Sequence, residues 1–247
     1  MKRGEIMNEL LSRYYNYSNP NNLFFSQWDN YFNKNAAQGI MNSCYCKKSF
    51  FRVLNTYINK LDVHLNEIVM AEKLNAGEFT RYVKLQPGRY QVKINESDSK
   101  NLIFESFIDI DQNLAYTGII TEDDRDKDDI SILMIPEARE NNSKGKMTGI
   151  RLINLASDAP KLELTASDGI RLFSGVDYGE VSNNVVVPSG RYNLSLQEKE
   201  SKVKVKTMSI DFAPGMHYTL FVSGKYHENP DIQIIIPEDG VNYLELC

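Results

Sequence analysis

An internal repeat is the feature that most constrains how this chain can fold. The segment Leu85–Ile94 (LQPGRYQVKI) matches Val187–Leu196 (VPSGRYNLSL), and the shared Gly-Arg-Tyr triplets lie 102 positions apart. Further short matches keep nearly the same offset, which chance does not explain. They pair Arg52–Asn55 with Arg151–Asn154, Ile108–Ile110 with Ile210–Phe212, Tyr116-Thr117 with Tyr218-Thr219, Ile130 with Ile232, and Ile135–Glu137 with Ile236–Glu238. The sequence therefore predicts one fold formed twice.

Both copies carry the pattern of half-buried β-strands. Apolar and polar side chains alternate over Tyr90–Ile94 and again over Tyr192–Leu196, as a strand with one buried face requires. The turn before each strand contains a proline, which presets φ, and a glycine, Gly88 or Gly190, which can take a positive φ. We therefore predict an all-β fold.

The size of each copy fits an immunoglobulin-like β-sandwich. Each copy spans about 90 residues and has room for about seven or eight short strands. The predicted organisation is an N-terminal arm (residues 1–48), a first sandwich (49–140), a linker (141–147) and a second sandwich (148–247). The chain is then a tandem pair of sandwiches.

Repeated tyrosines and glycines have predicted structural roles. Tyr116 and Tyr218 each follow a turn and open a predicted strand, which is the position of the tyrosine corner in immunoglobulin-like folds. In that corner the hydroxyl bonds back to the backbone. The other residues assigned to the repeated turn are Gly88, Tyr90, Gly190 and Tyr192. We expect all of them to stabilise the fold rather than to bind a ligand.

The N-terminal arm lies outside the repeat and is rich in aromatic side chains. Residues 7–17 have the pattern of a short helix, which the segment Ser18–Asn22 ends. The following part contains the single tryptophan, Trp28, together with Phe24, Phe25, Tyr31 and Phe32. This composition is atypical of a disordered tail. We therefore expect the arm to bury its aromatic side chains against the first sandwich or a neighbouring subunit.

The charge and hydropathy of the chain exclude several partners. The formal net charge is −5 at pH 7 and the pI is about 5.4, whereas nucleic acids and anionic membranes require a concentrated positive field. No window approaches the ~18 consecutive apolar residues of a membrane span. The stretch after Met1–Glu5 is interrupted by polar residues, so no secretory signal peptide is visible. We expect neither a nucleic-acid partner nor a membrane span.

The cysteines Cys44, Cys46 and Cys247 allow two interpretations. Cys44 and Cys46 are too close along the chain for an unstrained disulfide with each other, and an odd count favours disulfides between subunits. The alternative is a set of reduced thiols without a role, as in a cytosolic protein. A zinc site is not supported, because paired C-x-x-C motifs are missing and the histidines are isolated.

Neither a metal-dependent nor a nucleophilic active site is indicated. The acidic run 122–129 lacks the spacing of a calcium loop, so a solvated hairpin tip is favoured over a Ca²⁺ site. His64 is predicted to point away from the strand face that carries Val63, while His217 lies at a strand start and His227 in a loop. No motif places a nucleophile beside these histidines. We therefore expect a non-enzymatic protein without a cofactor.

The second copy resembles a bacterial family of domains of unknown function. The family is recognised by a segment of the form V-R-x-x-N-A-S-P-D-A-P, which stands here as Ile150–Pro160. Its later P-x-G-x-Y and G-x-x-Y-T-L-F-V segments stand as Pro188–Tyr192 and Gly215–Val222. The resemblance covers Gly149–Pro237 and implies an immunoglobulin-like sandwich, common in envelope and surface proteins, often in tandem and with no known catalysis. The first copy departs from it at Thr56–Lys60.

Two functions remain open at this point. The first is a self-associating structural protein of a bacterial envelope or spore surface, with the cytoplasm as the alternative location. The second is a surface module that binds carbohydrate or protein through loops at one end of a sandwich. Its candidate loop residues are Asp158, Pro160, Tyr178 and Tyr226, with Tyr57 as a further aromatic platform. For Asp158 and Pro160 the alternative is that they only build a turn.

Overall fold

β-Strands make up most of residues 48–122, 130–137, 145–227 and 230–246, the part that the computed structural model describes. The strands of the first copy are β1 Ser49–Asn55, β2 Leu61–Leu65, β3 Ile68–Leu74, β4 Val83–Leu85, β5 Gly88–Glu96, β6 Leu102–Ile110, β7 Ala115–Glu122 and β8 Ile130–Pro136. Those of the second are β9 Met147–Asn154, β10 Leu162–Ala166, β11 Arg171–Val176, β12 Val185–Pro188, β13 Gly190–Glu198, β14 Lys204–Phe212, β15 His217–Ser223 and β16 Gln233–Ile235. A 3₁₀ turn, Gly240–Asn242, follows.

Several predicted features lie outside the described residues. These are the aromatic arm up to residue 47, most of the acidic run, most of the predicted linker, and the cysteines Cys44, Cys46 and Cys247.

The strands form four-stranded sheets whose order repeats between the copies. The first copy has the orders β3-β2-β5-β6 and β4-β1-β7-β8, and the second has β11-β10-β13-β14 and β12-β9-β15-β16. Strands β1 and β7 pair in parallel, as do β9 and β15, while the other neighbours are antiparallel. The predicted all-β fold with tandem β-sandwiches is confirmed.

Each sandwich closes its own apolar interior between its sheets. Strand β5 places Val92 and Ile94 in the first core, and β13 places Leu194 and Leu196 in the second, with no side chain more than 2% exposed. The residues between them are exposed or half-buried. The alternation in the sequence therefore marks the buried face of each strand.

A third apolar cluster lies between the sandwiches. Its strands β1, β7, β9 and β15 are buried on both faces, so their side chains are buried almost without interruption instead of alternately. The ring of Phe79 meets that of Phe221 edge to face, with centroids 5.8 Å apart. The buried members of the cluster are Leu54, Ile119 and Ile135 of the first copy and Ile153, Leu155 and Phe221 of the second.

Both copies contribute the same face to this cluster. Leu54 of β1 pairs with Ile119 of β7, and at the equivalent positions Ile153 of β9 pairs with Phe221 of β15. An interface in which both partners use the same patch is isologous, as in a two-fold symmetric dimer. The repeat therefore packs on itself as a pseudo-two-fold pair.

The repeated turn owes its shape to a glycine and a tyrosine. Gly88 and Gly190 have φ values of +154° and +135°, which side chains with a Cβ rarely adopt. Tyr90 and Tyr192 each donate a hydroxyl hydrogen bond of 2.8 Å to the carbonyl oxygen four residues earlier. Each tyrosine thus ties the start of its strand to the preceding segment.

The two tyrosines at the predicted corners make different bonds. The hydroxyl oxygen of Tyr218 accepts the backbone N–H of Ala213 at 3.4 Å, which is the backbone contact expected of a tyrosine corner. The hydroxyl of Tyr116 donates instead to Oδ2 of Asp111 at 3.0 Å. Both bonds reach back five residues, so the corner is retained while its partner differs.

Removing the aromatic ring at the centre of the shared cluster tests this packing. We expect Phe221→Ala to lower the free energy of unfolding by about 3–5 kcal/mol, because it leaves a cavity between the sandwiches. Phe107→Ala is the matched control, since that ring is 46% exposed, and its cost should stay below about 1 kcal/mol. Urea denaturation measures the free energy of unfolding of both variants. Equal decreases in Phe221→Ala and Phe107→Ala would contradict a buried interface around Phe221.

Candidate functional site

Two buried arginines, one from each copy, are the central polar feature. Both open the Arg-x-x-Asn segment that the copies share. Nε of Arg52 donates to Oγ1 of Thr117 at 2.9 Å, and Nε of Arg151 donates to Oγ1 of Thr219 at 2.8 Å. The parallel pairing of β1 with β7, and of β9 with β15, places these residues side by side.

Each arginine also reaches into the other sandwich. Nη1 of Arg52 donates to the carbonyl oxygen of Glu238 at 3.2 Å, and Nη1 of Arg151 donates to that of Pro136 at 2.9 Å. The acceptors are equivalent residues, because Pro136 faces Tyr116 in the first copy and Glu238 bridges to Tyr218 in the second. The sequence match of Pro136-Glu137 with Pro237-Glu238 is therefore one residue out of register, and Glu137 corresponds to Asp239.

Glu137 completes the cluster in the first copy. Its carboxylate accepts the hydroxyl of Thr117 at 2.9 Å and the Tyr82 hydroxyl, and Nη2 of Arg52 lies 3.2 Å away. It also accepts the backbone N–H of Gly240, from the second copy, at 2.5 Å. Burial and the Glu137 charge raise the pKa of Tyr82, which keeps its hydroxyl a donor.

Asp239 is the corresponding carboxylate of the second copy. Oδ2 lies 2.8 Å from Nδ1 of His217 and accepts the hydroxyl of Thr219 at 2.9 Å. Burial raises the pKa of Asp239, but the His217 hydrogen bond, the charge of Arg151 and the Thr219 hydroxyl outweigh burial and lower it. Asp239 is therefore a carboxylate in the folded chain.

The His217–Asp239 pair has the composition of a catalytic dyad but is closed to substrates. The side chains are 4% and 0% exposed, respectively. A general base must reach the proton that it removes, so this pair is placed to hold β15 against the C-terminal segment. The Asn242 side chain has the same effect, because its Oδ1 accepts the backbone N–H of His217 at 2.8 Å and its Nδ2 donates to the His217 carbonyl oxygen at 2.8 Å.

The asparagine of the Arg-x-x-Asn segment fixes the loop that follows it. Oδ1 of Asn55 accepts the N–H of Tyr57 at 2.9 Å, and Oδ1 of Asn154 accepts that of Ala156 at 3.1 Å. Both asparagines are fully buried. The shared asparagine therefore contributes to the fold in both copies.

The candidate binding loops of the second sandwich are tied to one another. Oδ1 and Oδ2 of Asp158 lie 3.0 and 2.9 Å from the backbone nitrogen of Tyr226, which donates to this carboxylate. The Tyr226 hydroxyl donates to Glu198, and its ring packs against the second core. A further tie joins Lys161 to Asp177, with the charged atoms 3.1 Å apart. Asp158 and Tyr226 therefore meet, as loop residues that stabilise each other.

The other predicted loop residues lie nearby or in the first copy. Pro160 is exposed in the loop after β9, and Tyr178 is half-buried in the turn after β11, where its N–H donates to Oδ1 of Asp177 at 3.0 Å. Tyr57 packs against the first core. Because Tyr57 and Tyr226 are both packed against cores, neither presents a fully free ring face for stacking.

The described residues do not assemble a metal site. They contain no group of three or more His, Cys, Asp or Glu side chains placed to hold an ion. Glu122, the described member of the acidic run, forms an ion pair with Lys225 of the second copy. Shallow surface grooves occur at equivalent positions beside Arg89 and Arg191.

In the part of the chain that the structure describes, no helix is long and apolar enough to cross a membrane.

A carboxylate–lysine pair recurs on the outer sheet of each copy. Oδ2 of Asp62 lies 2.7 Å from Nζ of Lys100, and Oε1 of Glu163 lies 3.0 Å from Nζ of Lys202. Burial opposes ionisation of Asp62, but hydrogen bonds from Lys100 and Ser97 and from a backbone N–H lower its pKa to about 2. Hydrogen bonds from Lys202 and its neighbours likewise lower the pKa of Glu163 against the effect of burial.

The chain belongs to the family described as "Domain of unknown function (DUF4397)". The family model matches it twice, over residues 49–165 and 148–242. The two matches agree with the tandem arrangement of the sandwiches. None of the curated proteins compared with the chain matches it.

Three solved structures are similar to the chain at low identity. CBMbc (family CBM26) from Eubacterium rectale Amy13K, in complex with maltoheptaose, is 12% identical over 76% of this chain and 95% of its own, with a TM-score of 0.24. The Bacillus anthracis TIE protein is 10% identical over 71% and 34%, with a TM-score of 0.24. A streptococcal virulence factor that binds alpha-glucan is 9% identical over 80% and 99%, with a TM-score of 0.28. TM-scores this low carry no inference about the ligand of this chain.

The lowered pKa of Asp62 predicts a pH dependence of stability. The stabilisation is fully present above the ordinary pKa of 3.8 and is lost as the pH falls toward about 2, because the unfolded chain binds the proton first. Asp62→Asn should remove about 1–2 kcal/mol at pH 7, given that Lys100 is exposed to screening. It should also flatten the fall in stability between these pH values.

Denaturation curves recorded across this pH range measure the effect. Asp98→Asn is the matched control, because Asp98 is exposed on the same hairpin. If the free energy of unfolding of Asp62→Asn fell with decreasing pH as steeply as that of the wild type, the assigned role of Asp62 would be contradicted.

Proposed function

We propose that this chain is a non-enzymatic structural protein whose paired sandwiches act as one rigid building block and self-associate at a bacterial surface. The observation that carries the proposal is the reciprocal interface, in which Arg52 and Arg151 each bond a carbonyl of the opposite copy. Tandem domains that only tether a ligand site need no such contact.

The composition of the interface supports rigidity. Interfaces between domains that move are small and polar, whereas this one has an apolar centre around Leu54 and Phe221 and buried charges beside it. Moving the sandwiches apart would expose that apolar area and leave Arg52 and Arg151 with fewer partners. The two sandwiches are therefore expected to keep one orientation.

The roles of the repeated polar residues favour structure over catalysis. His217 and Asp239, whose side chains are of catalytic types, are buried and bonded to each other. Asn154 and Asp158 fix loops. Polar residues that are committed to the fold in this way support a structural role for the chain.

Self-association and a surface location complete the proposal. The cysteines offer a covalent route between chains, and a bacterial cell or spore surface is a setting in which disulfides persist. A cytoplasmic location is the alternative, and there the thiols would stay reduced.

Size measurements on the full chain test self-association. We expect multi-angle light scattering to find species larger than the monomer that grow with protein concentration and with oxidation. Non-reducing electrophoresis should separate the disulfide-linked fraction from the non-covalent one. A monomer at all concentrations, both oxidised and reduced, would overturn the proposal.

Calorimetry tests the rigid unit separately. The wild-type sandwiches should unfold in one transition. Arg151→Met should lower the free energy of unfolding by about 3–5 kcal/mol, because it leaves Thr219 Oγ1 and the Pro136 carbonyl without their donor and removes a positive charge that favours the buried Asp239 carboxylate. Arg191→Met, at an exposed arginine, is the control and should cost less than about 1 kcal/mol. Two well-separated transitions in the wild type would contradict a single unit.

A second candidate is a surface binding module. It is favoured by the loops at one end of the second sandwich, where the Asp158–Tyr226 and Lys161–Asp177 contacts hold exposed Pro160 in place. Preformed loops bind with less loss of entropy than mobile ones. A glycan array probed with the full chain and with Asp158→Ala tests it, and absence of binding by the full chain would remove this candidate for glycans.

A further inference from the structure

Two long strands lie at equivalent edges of the outer sheets. Among the described strands, β6 (Leu102–Ile110) pairs only with β5, and β14 (Lys204–Phe212) pairs only with β13. Each has nine residues. An edge strand turns part of its backbone N–H and C=O groups away from its neighbour, and these groups are a template for pairing with a strand of another chain.

A regular ladder distinguishes these two edges from most of the others. Residues 104–110 of β6 and 206–212 of β14 pair with their neighbours without a register shift. The opposite edges of the same sheets, β3 and β11, each carry two shifts, and such bulges protect an edge from pairing. In the other two sheets, β4, β12 and β16 have only three or four residues, and β8 ends in a proline. Strands β6 and β14 are therefore the edges best suited to accept a further strand.

The two edges differ in the sign of their charge although the repeat makes them equivalent. The charged side chains of β6 are Glu105 and Asp109, both exposed, which gives this strand a formal charge of −2. Strand β14 has exposed Lys204 and Lys206 together with Asp211, which gives it a formal charge of +1. Equivalent strands of opposite sign are what pairing between unlike edges requires.

Strand β6 also lacks the residues that keep an edge strand unpaired. It contains neither lysine nor proline, and Leu102 and Phe107 are 51% and 46% exposed. Strand β14 does have lysines, which discourage pairing with a second β14, and the acidic side chains of β6 likewise repel a second β6. Pairing of β6 with β14 instead brings opposite charges together.

We propose that β6 of one chain pairs with β14 of a second copy of this chain. A second copy is the partner because the basic edge that complements β6 is present on the chain itself, at the equivalent place in the repeat. Backbone hydrogen bonds between the strands supply the affinity, while the charges of Glu105 and Asp109 against those of Lys204 and Lys206 select the partner edge. The pairing presupposes the self-association proposed above and assigns it a surface.

Exchanging the charge of one edge at a time tests the pairing, under reducing conditions so that disulfides do not contribute. Glu105→Lys with Asp109→Lys makes both edges basic, and Lys204→Glu with Lys206→Glu makes both acidic. We expect each variant to raise the dissociation constant of self-association at least about tenfold, because like charges then oppose each other. An equimolar mixture of the two variants should restore wild-type association, since unlike edges meet again. Sedimentation velocity measures all of these samples.

The opposite edge of the same sheet provides the matched control. Glu67→Lys with Glu72→Lys makes the same change in net charge at exposed positions of the β2–β3 hairpin, and it should associate as the wild type does.

A neutral variant covers the case in which the new lysines impair folding. Nζ of Lys93 lies 3.7 Å from Oε1 of Glu105, and Arg89 faces Asp109 in the ladder. A lowered melting temperature would reveal repulsion from these neighbours. Glu105→Gln with Asp109→Asn adds no like charge beside them and should still weaken association about threefold to tenfold.

Each alternative has a distinct outcome. Wild-type association by either charge-exchange variant alone would indicate pairing of two like edges or another surface, and would overturn this pairing while the proposed self-association stands. A mixture that fails to associate although both variants are folded would also overturn it. A wild-type chain that stays monomeric would overturn both proposals.

Discussion

The packing of β1 and β7 against β9 and β15 is the contact on which the rest of the structure depends. A strand that is apolar on both faces must be covered on both, and one sandwich covers only one face of its own β1 and β7. The repeat supplies a second copy with the same uncovered face. Once the faces meet, Arg52 and Arg151 reach carbonyl groups on the opposite side and are desolvated there with partners in place. The polar cluster is thus a consequence of the apolar one.

The repeat also shows how one core can be filled in different ways. In the first copy the Phe51 ring lies over Gly118, where an added Cβ would come within 2.8 Å of it. In the second copy the equivalent positions hold Ile150 and Leu220, both fully buried. A large residue beside glycine and two medium residues fill similar volumes, which is the exchange that close-packed interiors tolerate best. Topology survives such exchange because strand order and turn geometry do not depend on which residue is large.

Much of the fold was readable from sequence because its signals are local. Alternation in β5 and β13 predicted the buried faces, and the glycine before each strand predicted a turn with positive φ. The contacts between the copies had no local signal, since Arg52 and Glu238 are far apart along the chain. Asp158 and Tyr226 were each selected as loop residues, yet their hydrogen bond depends on the fold of two separate loops. The short apolar pairs and triplets Ile119-Ile120 of β7 and Leu220–Val222 of β15 did carry a signal, because consecutive apolar residues place apolar side chains on both faces of a strand.

The pseudo-two-fold arrangement bears on how such a chain could have arisen. Two unlinked copies of one domain, each with an uncovered apolar face, would pair in the same way and form a symmetric homodimer. Fusion of the genes replaces a concentration-dependent encounter by an intramolecular one, so the pair stays together at any dilution. Fusion also removes the requirement that both partners be identical. His217 in one copy and Ala115 at the matching position of the other are a difference that a homodimer encoded by a single gene could not have maintained.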